Sequence, residues 1–583
     1  MIELRRRGVY RIALAVSIGV LAASMAPSAS ARTSAPRATA AQVTQPARSC
    51  ASLATVDLSG VSTQLESAAA MSANGVEFCE VKGYISPQTH FTVLLPQSTW
   101  RGSYLQQGCG GLCGHDDVSL TDPGRQTPQA PFAPLGAGEF VVAADDQGHS
   151  APGALWAKED PIARVVFGYR SEHDLALTAK AIIAAFYGRA PAHSYYNGHS
   201  DGGREALALA QRYPRDFDGI IAGAPANNWA ALVGIYQAWL VRANMDAQGR
   251  PILDDSKLPG LHAAVMRACA DTHGVIADPR ACTFDPATVR CPSGVDRADC
   301  LTAAQVDVVR RLYRGPTTRG LNLFNGGEPY GSEIAWQGWM ITSANDPAYP
   351  SDTLAGGLAL DYLRYMAYWH NPPASFTLQD ARFTVDAYNR LQPLGGIYDA
   401  TNPDLRAFRA LGGKLILYHG WADQAISPWS TTDYYRAVVR EAGGFRAAQR
   451  FSRLYMIPGL YHCPCGPYGL GDPATSVGLM DDLVNWVQSS NAPGTMTFPV
   501  TSQSTGTPQT SLTVRPFSPL EPAPRNDGLN SNYRYIGRER EYRPGQELWC
   551  RQRAERLVCS RDPRAGSSRV TRTTRFAAPR ARR

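Results

Sequence analysis

A Gly-x-Ser-x-Gly pentapeptide at residues 198–202 constrains the fold of this chain more than any other segment. It follows AHSYYN, which reads as a strand, and precedes REALALAQRYP, which has helical periodicity. A strand that turns directly into a helix through glycines is typical of an open parallel sheet with a serine at its carboxyl edge. An ordinary glycine-rich turn is the alternative, and the flanking segments favour the strand–turn–helix unit.

The same alternation of strand and helix recurs on both sides of this turn, which predicts the α/β class with a mostly parallel sheet. The predicted strands lie at 90–96, 139–144, 218–224, 413–419 and 453–457, and a predicted helix lies at 172–187. The alternation fades after about residue 227. We therefore expect an α/β core at 50–226 and 408–525, interrupted by a large inserted lid domain at 227–407.

The N-terminal residues 1–31 predict a secretory signal peptide. Three arginines at 5–7 precede an apolar run at 12–25, and Ala29-Ser30-Ala31 fits a cleavage site. A membrane anchor is the alternative, but the run is shorter than the roughly 20 residues that a span requires. With a low-complexity linker at 32–49, this predicts a secreted or periplasmic protein without a membrane span in its mature form.

A basic extension is predicted at 526–583. From residue 551 onward, eleven arginines stand against Glu555 and Asp562, a net charge of +9 compared with +7 for the whole chain. Such a tail can bind nucleic acid, anionic lipid or an acidic polymer. A solvated tail is the simpler interpretation, and no nucleic-acid partner is expected. The oligomeric state does not follow from the sequence.

Twelve cysteines in a chain with an export signal predict disulfides. Locality pairs eight of them as Cys50–Cys79, Cys269–Cys282, Cys291–Cys300 and Cys550–Cys559, which leaves Cys109, Cys113, Cys463 and Cys465. Their spacing does not match a zinc site, so no thiolate-bound structural metal is expected.

Ser200, at the centre of the glycine turn, is the predicted nucleophile. A serine hydroxyl needs a base within hydrogen-bond reach, and that base needs an orienting carboxylate. In the α/β-hydrolase order of Ser, acid and His, Asp423 follows the predicted strand KLILYH and His462 follows RLYMI, both at the carboxyl edge. The rival base is His419, and the rival acids are Asp433 and Asp472.

The predicted oxyanion hole combines two backbone N–H groups. One belongs to Asp201, directly after the nucleophile, and the other to Gly110 in the segment GCGG that follows SYLQQ. Glycines allow the backbone to approach a substrate closely. A structural turn is the alternative interpretation of GCGG.

These segments resemble the tannase and feruloyl esterase family. The resemblance covers roughly residues 50–500 and rests on YYNGHSDGGREALALAQRYPRDFDGIIAGAPA, GGKLILYHGWADQAISP and MIPGLYHC, with LPQSTWRGSYLQQGCGG and FGYRSEHDLALTAKAII in support. It implies an α/β-hydrolase fold with a lid, and hydrolysis of esters of phenolic acids such as gallic or ferulic acid, from small molecules or plant polymers. By position, it also implies the triad Ser200, Asp423 and His462.

The chain departs from the family at the residue before the nucleophile. The family usually has Cys there, bonded to the Cys after the catalytic His, whereas here His199 precedes Ser200 and Cys463 is retained. Our hypothesis is that the four remaining cysteines join the two loops: Cys463 and Cys465 with Cys109 and Cys113.

A second departure concerns calcium. The family lid often carries a loop of spaced aspartates around a calcium ion, but RACADTHGVIADPRAC keeps only Asp271 of those acids. Since calcium prefers six to eight oxygen ligands, we expect no cofactor, and calcium absent or weakly bound.

The predicted lid is rich in aromatic residues that suit an aromatic substrate. They are Trp336, Trp339, Tyr362, Tyr365, Tyr368 and Trp369. Packing within the lid is the simpler interpretation for each of them. Arg364 is a candidate for contact with a substrate carboxylate.

Two other functions compete with an esterase. A serine peptidase of the same fold would share the triad, although the chain has no propeller-like repeat. A non-catalytic surface-binding protein would use the basic tail, but it would not need all three triad residues.

Overall fold

The protein is described here from a computed structural model covering residues 42–125, 127–463, 478–501, 508–520, 548–553 and 556–561. Its strands are β1 Thr63–Ala73, β2 Val76–Ile85, β3 Thr89–Pro96, β4 Ser103–Gln107, β5 Phe140–Asp145, β6 His193–His199, β7 Gly219–Gly223, β8 Thr317–Thr318, β9 Leu321–Asn322, β10 Lys414–Gly420, β11 Ser452–Ile457, β12 Met496–Thr501, β13 Pro508–Val514, β14 Leu548–Arg553 and β15 Arg556–Arg561.

The helices alternate with these strands through the core. They are α1 Ala133–Gly136, α2 Pro161–Val165, α3 Ser171–Tyr187, α4 Asp201–Arg212, α5 Trp229–Ala231, α6 Ala238–Ala243, α7 Leu258–Cys269, α8 Ala303–Arg314, α9 Leu354–Asp361, α10 Val385–Tyr398, α11 Arg406–Ala410, α12 Pro428–Glu441, α13 Phe445–Ala448 and α14 Leu479–Ser489. Turns of 3₁₀- and π-helix connect several of them.

Nine strands form one sheet in the order β1-β2-β3-β5-β4-β6-β7-β10-β11. In this spatial order, the pairs β1-β2, β2-β3 and β3-β5 are antiparallel. The remaining pairs, β5-β4, β4-β6, β6-β7, β7-β10 and β10-β11, are parallel. The predicted α/β fold with a mostly parallel sheet is therefore confirmed. Because β4, β6, β7, β10 and β11 run in one direction, their carboxyl ends lie at one edge, where parallel sheets bind ligands.

Helices cover both faces of this sheet, which is why its central strands are hydrophobic on both sides. In β5, Val141 and Ala143 belong to the core that α3 and α4 cover, whereas Val142 belongs to the core that α1 and α14 cover. All three side chains are fully buried. The alternation along one strand thus fills two separate layers of core.

The chain between β7 and β10 contains the predicted insertion, and two short disulfides brace it. Cys269 pairs with Cys282 and Cys291 with Cys300, as predicted. Cys50–Cys79 also forms as predicted and joins the N-terminal segment to β2. The exact domain boundaries stay predictions.

The strands β1 and β2 are absent from the sequence prediction. The residues of β1, TQLESAAAMSA, have the composition of a helix. Pairing with β2 from Thr63–Ile85 to Ala73–Val76 overrides that preference, since strand propensity depends strongly on context. The strand conformation of β1 therefore depends on its pairing with β2 and not on its local sequence.

Several predictions fall wholly or partly outside the described residues. They include the signal peptide at 1–31, most of the linker, the arginine-rich end of the chain, Asp472 and Cys465. The strands β14 and β15 pair as an antiparallel hairpin in the basic extension, with Cys550 opposite Cys559. Within the described segments, no helix has the length and apolar character needed to cross a membrane.

Candidate active site

Ser200 lies in the sharp turn between β6 and α4, with φ of 63° and ψ of −117°. A non-glycine residue in this region is strained, and its backbone holds the turn by hydrogen bonds. Ser200 N donates to Gly223 O at 2.9 Å, and Ser200 O accepts the N–H of Gly203. A Cβ on Gly198 would collide with the backbone of Gly202, and one on Gly202 would press against the backbone of Cys109, which explains both glycines of the pentapeptide.

His462 and Asp423 reach Ser200 from the loops that follow β11 and β10. His462 Nε2 lies 2.9 Å from Ser200 Oγ, and His462 Nδ1 lies 2.8 Å from Asp423 Oδ2. A carboxylate only accepts hydrogen bonds, so Nδ1 carries the proton and Nε2 is left to accept from the serine. The structure thus brings together the three residues that the sequence singled out, in the relay that nucleophile activation requires.

Asp423 is fully buried but completely paired. Its Oδ1 accepts the N–H groups of Ala425 and Ile426, both at 2.8 Å, while its Oδ2 faces His462 and, at 3.1 Å, His419 Nε2. Burial alone would raise the pKa of this carboxyl. The adjacent histidines and their hydrogen bonds outweigh burial and hold its pKa well below the usual range.

Hydrogen bonds hold the backbone of His462 at both of its polar groups. Its N–H donates to Gln424 Oε1 at 3.0 Å, and its carbonyl accepts from His199 Nε2 at 2.7 Å. Neither contact was predicted from the sequence. Gln424 directly follows Asp423 and His199 directly precedes Ser200, so adjacency to the predicted triad was the only available signal.

The rival residues do not contact the serine through any described hydrogen bond. His419 places Nδ1 at 2.7 Å from Thr431 Oγ1 and Nε2 at 3.0 Å from Ile426 O, so it braces the Asp423 loop. Asp433 accepts from Asn325 Nδ2 at 2.8 Å and pairs with Arg436. Asp472 lies outside the described residues.

The glycine loop after β4 lies against the nucleophile. A Cβ built on Gly110 would lie 4.0 Å from Ser200 Cβ, and one built on Gly202 would lie 3.2 Å from the backbone of Cys109. Asp201, the other predicted oxyanion residue, begins α4, and its buried carboxylate pairs with Arg204. Both predicted backbone donors therefore flank Ser200, and their oxyanion role stays a prediction.

The predicted disulfides between this loop and the His462 loop are wrong. Cys109 pairs with Cys113, and their Cα atoms lie 5.6 Å apart, within the range that a disulfide spans. The turn at Gly110 and Gly111 makes this local pairing possible, because Cys113 N donates to Gly110 O at 3.1 Å. Cys463 is disulfide-bonded as well, but its predicted partners, Cys109 and Cys113, are bonded to each other.

A cluster of buried carboxyl groups lies beneath the glycine loop. Burial and neighbouring acids raise the pKa of Asp145 to about 7 and raise the pKa values of Glu172 and Glu205 well above their ordinary range. Tyr196 donates its hydroxyl to Glu205, and a Cβ on Gly108 would collide with both side chains. Burial at the floor of the loop thus favours the neutral form of these acids.

Trp339 is a lid aromatic beside the triad, with its ring centroid 5.8 Å from that of His462. Its Nε1 donates to Gln237 Oε1 at 3.1 Å, and Gln237 in turn donates to Ala425 O in the Asp423 loop. Trp336, in contrast, is fully buried and donates to Ser332 Oγ. The guanidinium of Arg364 donates to Phe376 O through Nε and Nη2, and its contact with a substrate carboxylate stays a prediction.

Asp271 is the acid of the family's calcium loop that this chain retains. The carboxylate of Asp271 accepts the N–H of His273 at 2.8 Å and closes a local turn. Within the ranges that the structure covers, no group of three or more His, Cys, Asp or Glu side chains is arranged to hold a metal ion. Since calcium prefers six to eight oxygen ligands, absent or weak calcium binding stays a prediction.

Comparison with known proteins identifies the family. A sequence model described as tannase and feruloyl esterase matches residues 73–525. A mono(2-hydroxyethyl) terephthalate hydrolase from Piscinibacter sakaiensis is 31% identical over 486 residues, covering 72% of this chain and 77% of the relative. Feruloyl esterase B from Aspergillus niger is 28% identical over 445 residues, covering 72% and 78%.

Solved structures agree on the fold. Feruloyl esterase B from Aspergillus oryzae has a TM-score of 0.67 at 22% identity, covering 80% of this chain and 96% of that one. Tannin acyl hydrolase from Aspergillus niger has a TM-score of 0.58 at 18% identity, covering 81% and 92%. Since the family match spans most of the chain, this protein belongs to the tannase and feruloyl esterase family and is a carboxylic ester hydrolase.

Proposed function

We propose that this carboxylic ester hydrolase is secreted and cleaves esters of phenolic acids through an acyl-enzyme on Ser200. The observation that carries the mechanism is the continuous relay from Ser200 Oγ through His462 to Asp423, with distances of 2.9 Å and 2.8 Å. The buried, fully paired Asp423 keeps the imidazole in the tautomer that accepts the serine proton.

In the acylation half, Ser200 Oγ attacks the ester carbonyl while His462 Nε2 takes its proton. The imidazolium is stabilised by the ionised carboxylate of Asp423. Negative charge develops on the carbonyl oxygen, and the N–H groups of Gly110 and Asp201 are the proposed donors to it. His462 then gives the proton to the leaving alcohol as the tetrahedral intermediate collapses to the acyl-enzyme.

In the second half, water replaces the alcohol. His462 removes a proton from the water, which attacks the acyl carbonyl, and then returns the proton to Ser200 Oγ as the free acid leaves. The protein needs only the same three side chains and two backbone donors for both halves.

The substrate class is proposed from the lid and from the relatives. Trp339 presents an aromatic ring beside His462, and stacking on an aromatic group contributes about 0.5–1.5 kcal/mol beyond area burial. The names of two relatives refer to feruloyl and terephthalate esters, both esters of aromatic acids. Export is supported by the signal-like N-terminus and by the disulfides Cys50–Cys79 and Cys269–Cys282.

The decisive experiment compares methyl gallate, methyl ferulate and p-nitrophenyl acetate as substrates for the wild type and Ser200→Ala. We expect turnover of a phenolic ester that the variant loses by about 10⁴-fold or more. Ser52→Ala, at a partly exposed serine, is a control for expression and handling. A matched ferulic amide tests the peptidase alternative.

Mass spectrometry during turnover tests the intermediate directly. An acyl adduct on the peptide that contains Ser200 is expected after rapid quenching. Turnover of the acetate alone would remove the proposed substrate class but leave the serine mechanism. Retained phenolic esterase activity in Ser200→Ala would overturn the mechanism.

A further inference from the structure

We infer that His199 is a positioning residue that fixes the base against the nucleophile through a single side-chain hydrogen bond. The inference rests on the roles proposed for Ser200 and His462. His199 Nε2 lies 2.7 Å from the backbone oxygen of His462. A carbonyl only accepts, so His199 carries its proton on Nε2 and donates it.

The opposite nitrogen of the ring fixes this tautomer. Tyr418 Oη lies 3.1 Å from His199 Nδ1, and since Nδ1 has no proton, the tyrosine hydroxyl is the donor. Both ring nitrogens of His199 are therefore occupied within the protein. The ring is buried and is not available to take a proton from the substrate or from Ser200.

Three neighbouring strands create the contact. His199 in β6 and Tyr418 in β10 both pair with Gly223 in β7, so the three residues form one row across the sheet. A Cβ on Gly223 would collide with the Tyr418 ring. The missing side chain lets the tyrosine lie across the central strand and reach the histidine.

His199 connects the proposed base to the nucleophile by a short path through the protein. His199 precedes Ser200 in the chain, and its ring centroid lies 4.6 Å from that of His462. Burial and the adjacent His462 lower the pKa of His199 to about 3, so the donor stays neutral over the working pH range. It adds no charge that would oppose formation of the His462 imidazolium.

Gln424 holds the N–H of His462, the other backbone polar group of the same residue. Loss of the His199 donor would leave the carbonyl of His462 without its fixed partner and free the ring to move relative to Ser200 Oγ. Because a displacement of about 1 Å can cost about 10²-fold in rate, the effect should fall on kcat rather than on KM.

The test compares His199→Phe, which keeps a ring but removes the donor, with His199→Gln, whose amide can donate to the same carbonyl. We expect His199→Phe to lower kcat by about 10²-fold with KM changed less than about threefold. The kcat of His199→Gln should be at least about tenfold higher than that of His199→Phe. His193→Phe, at the start of the same strand, is the matched control.

Tyr418→Phe supplies a second variant that leaves His199 in place. Without the tyrosine donor, the Nε2–H tautomer is no longer enforced, and we expect a smaller loss in kcat. In the ¹⁵N spectrum of the wild type, the histidine signal that is lost in His199→Phe should be that of a neutral Nε2–H ring between about pH 5 and pH 8, and Tyr418→Phe should change that signal.

Wild-type kcat in His199→Phe, with Ser200→Ala inactive, would overturn the inference and leave the proposed mechanism intact. Equal losses in His199→Phe and His199→Gln, with equally lowered melting temperatures, would also overturn it, because they indicate a structural role. Activity in Ser200→Ala would instead overturn the proposed function on which the inference rests.

Discussion

His419 Nε2 lies 3.1 Å from Oδ2 of Asp423, the same carboxylate oxygen that faces His462 Nδ1. Two histidines thus share one buried acid, but only His462 also reaches Ser200. The second histidine completes the hydrogen bonding of the acid and ties its loop to α12 through Thr431. This difference in contacts separates the proposed base from the residue that supports the acid.

Replacing His419 with Leu should therefore reduce stability more than it reduces catalysis. The change leaves buried acceptors short of a donor, which costs about 1–3 kcal/mol in the free energy of unfolding. We expect kcat to fall by no more than about tenfold, against about 10⁴-fold or more for His462→Ala. Urea unfolding and steady-state kinetics measure the two effects. Equal losses of activity in the two variants would contradict the assignment.

Asp423→Asn should lower kcat by about 10⁴-fold while the fold is retained. The asparagine amide can donate to His462 Nδ1, which favours the tautomer that carries its proton on Nε2 and cannot accept from Ser200. The control is Asp433→Asn, since Asp433 contacts Asn325 and Arg436 instead. A wild-type rate in Asp423→Asn would show that another acid orients the base.

The buried carboxyl of Asp145 should make the protein lose stability as pH rises. Its pKa is raised to about 7, against about 3.9 in an unfolded chain. Between about pH 4 and pH 7 the folded state holds a proton that the unfolded state has released, so the free energy of unfolding falls with pH by up to about 1.4 kcal/mol per unit.

Asp145→Asn removes this titration and keeps an oxygen to accept the N–H of Gln147. We expect the free energy of unfolding of the variant to depend less on pH. At alkaline pH the variant should therefore be more stable, relative to the wild type, than it is at acidic pH. Denaturant titrations across this pH range measure the slope. Asp307→Asn, at an exposed side chain, should leave it unchanged, and an unchanged slope in Asp145→Asn would refute the prediction.

Removal of the Cys109–Cys113 disulfide by paired serine substitutions should affect catalysis beyond its effect on stability. The closed loop is short, so the loss in unfolding free energy is about 2 kcal/mol. The same loop carries Gly110, the proposed oxyanion donor, and we expect kcat to fall by about tenfold or more. Peptide mapping of the wild type should recover the Cys109–Cys113 pair.

The matched control removes Cys291–Cys300, which lies in the inserted segment. We expect a comparable loss of stability with kcat almost unchanged. Equal effects of the two pairs on kcat would mean that the glycine loop does not depend on its disulfide for position.

Trp339→Leu should weaken binding of aromatic acyl esters selectively. Loss of ring stacking of about 0.5–1.5 kcal/mol corresponds to a rise in KM of about two- to tenfold for methyl ferulate, with little change for p-nitrophenyl acetate. Trp336→Leu is the control, since Trp336 is fully buried in the lid and should affect stability alone. Equal changes for both esters would remove Trp339 from the acyl site.

Local patterns were sufficient where a single segment determines its own structure. The glycines around Ser200 predicted the turn between β6 and α4, since few sequences permit that backbone. The disulfide between Cys269 and Cys282 was predicted from the short distance between the two cysteines along the chain. The same reasoning failed for β1, where an alanine-rich segment with helical composition is held as a strand by its partner.

The sequence by itself determined the fold class and the three residues of the relay, because order along the chain and local turn chemistry suffice for these, and its segments indicated the family by resemblance. Only the tertiary structure decided that Cys109 pairs with Cys113, that His419 supports Asp423, and that His199 holds His462. Each of those contacts depends on which side chains meet across strands or loops. Their angles and distances are set by packing of the whole sheet, which no local pattern records.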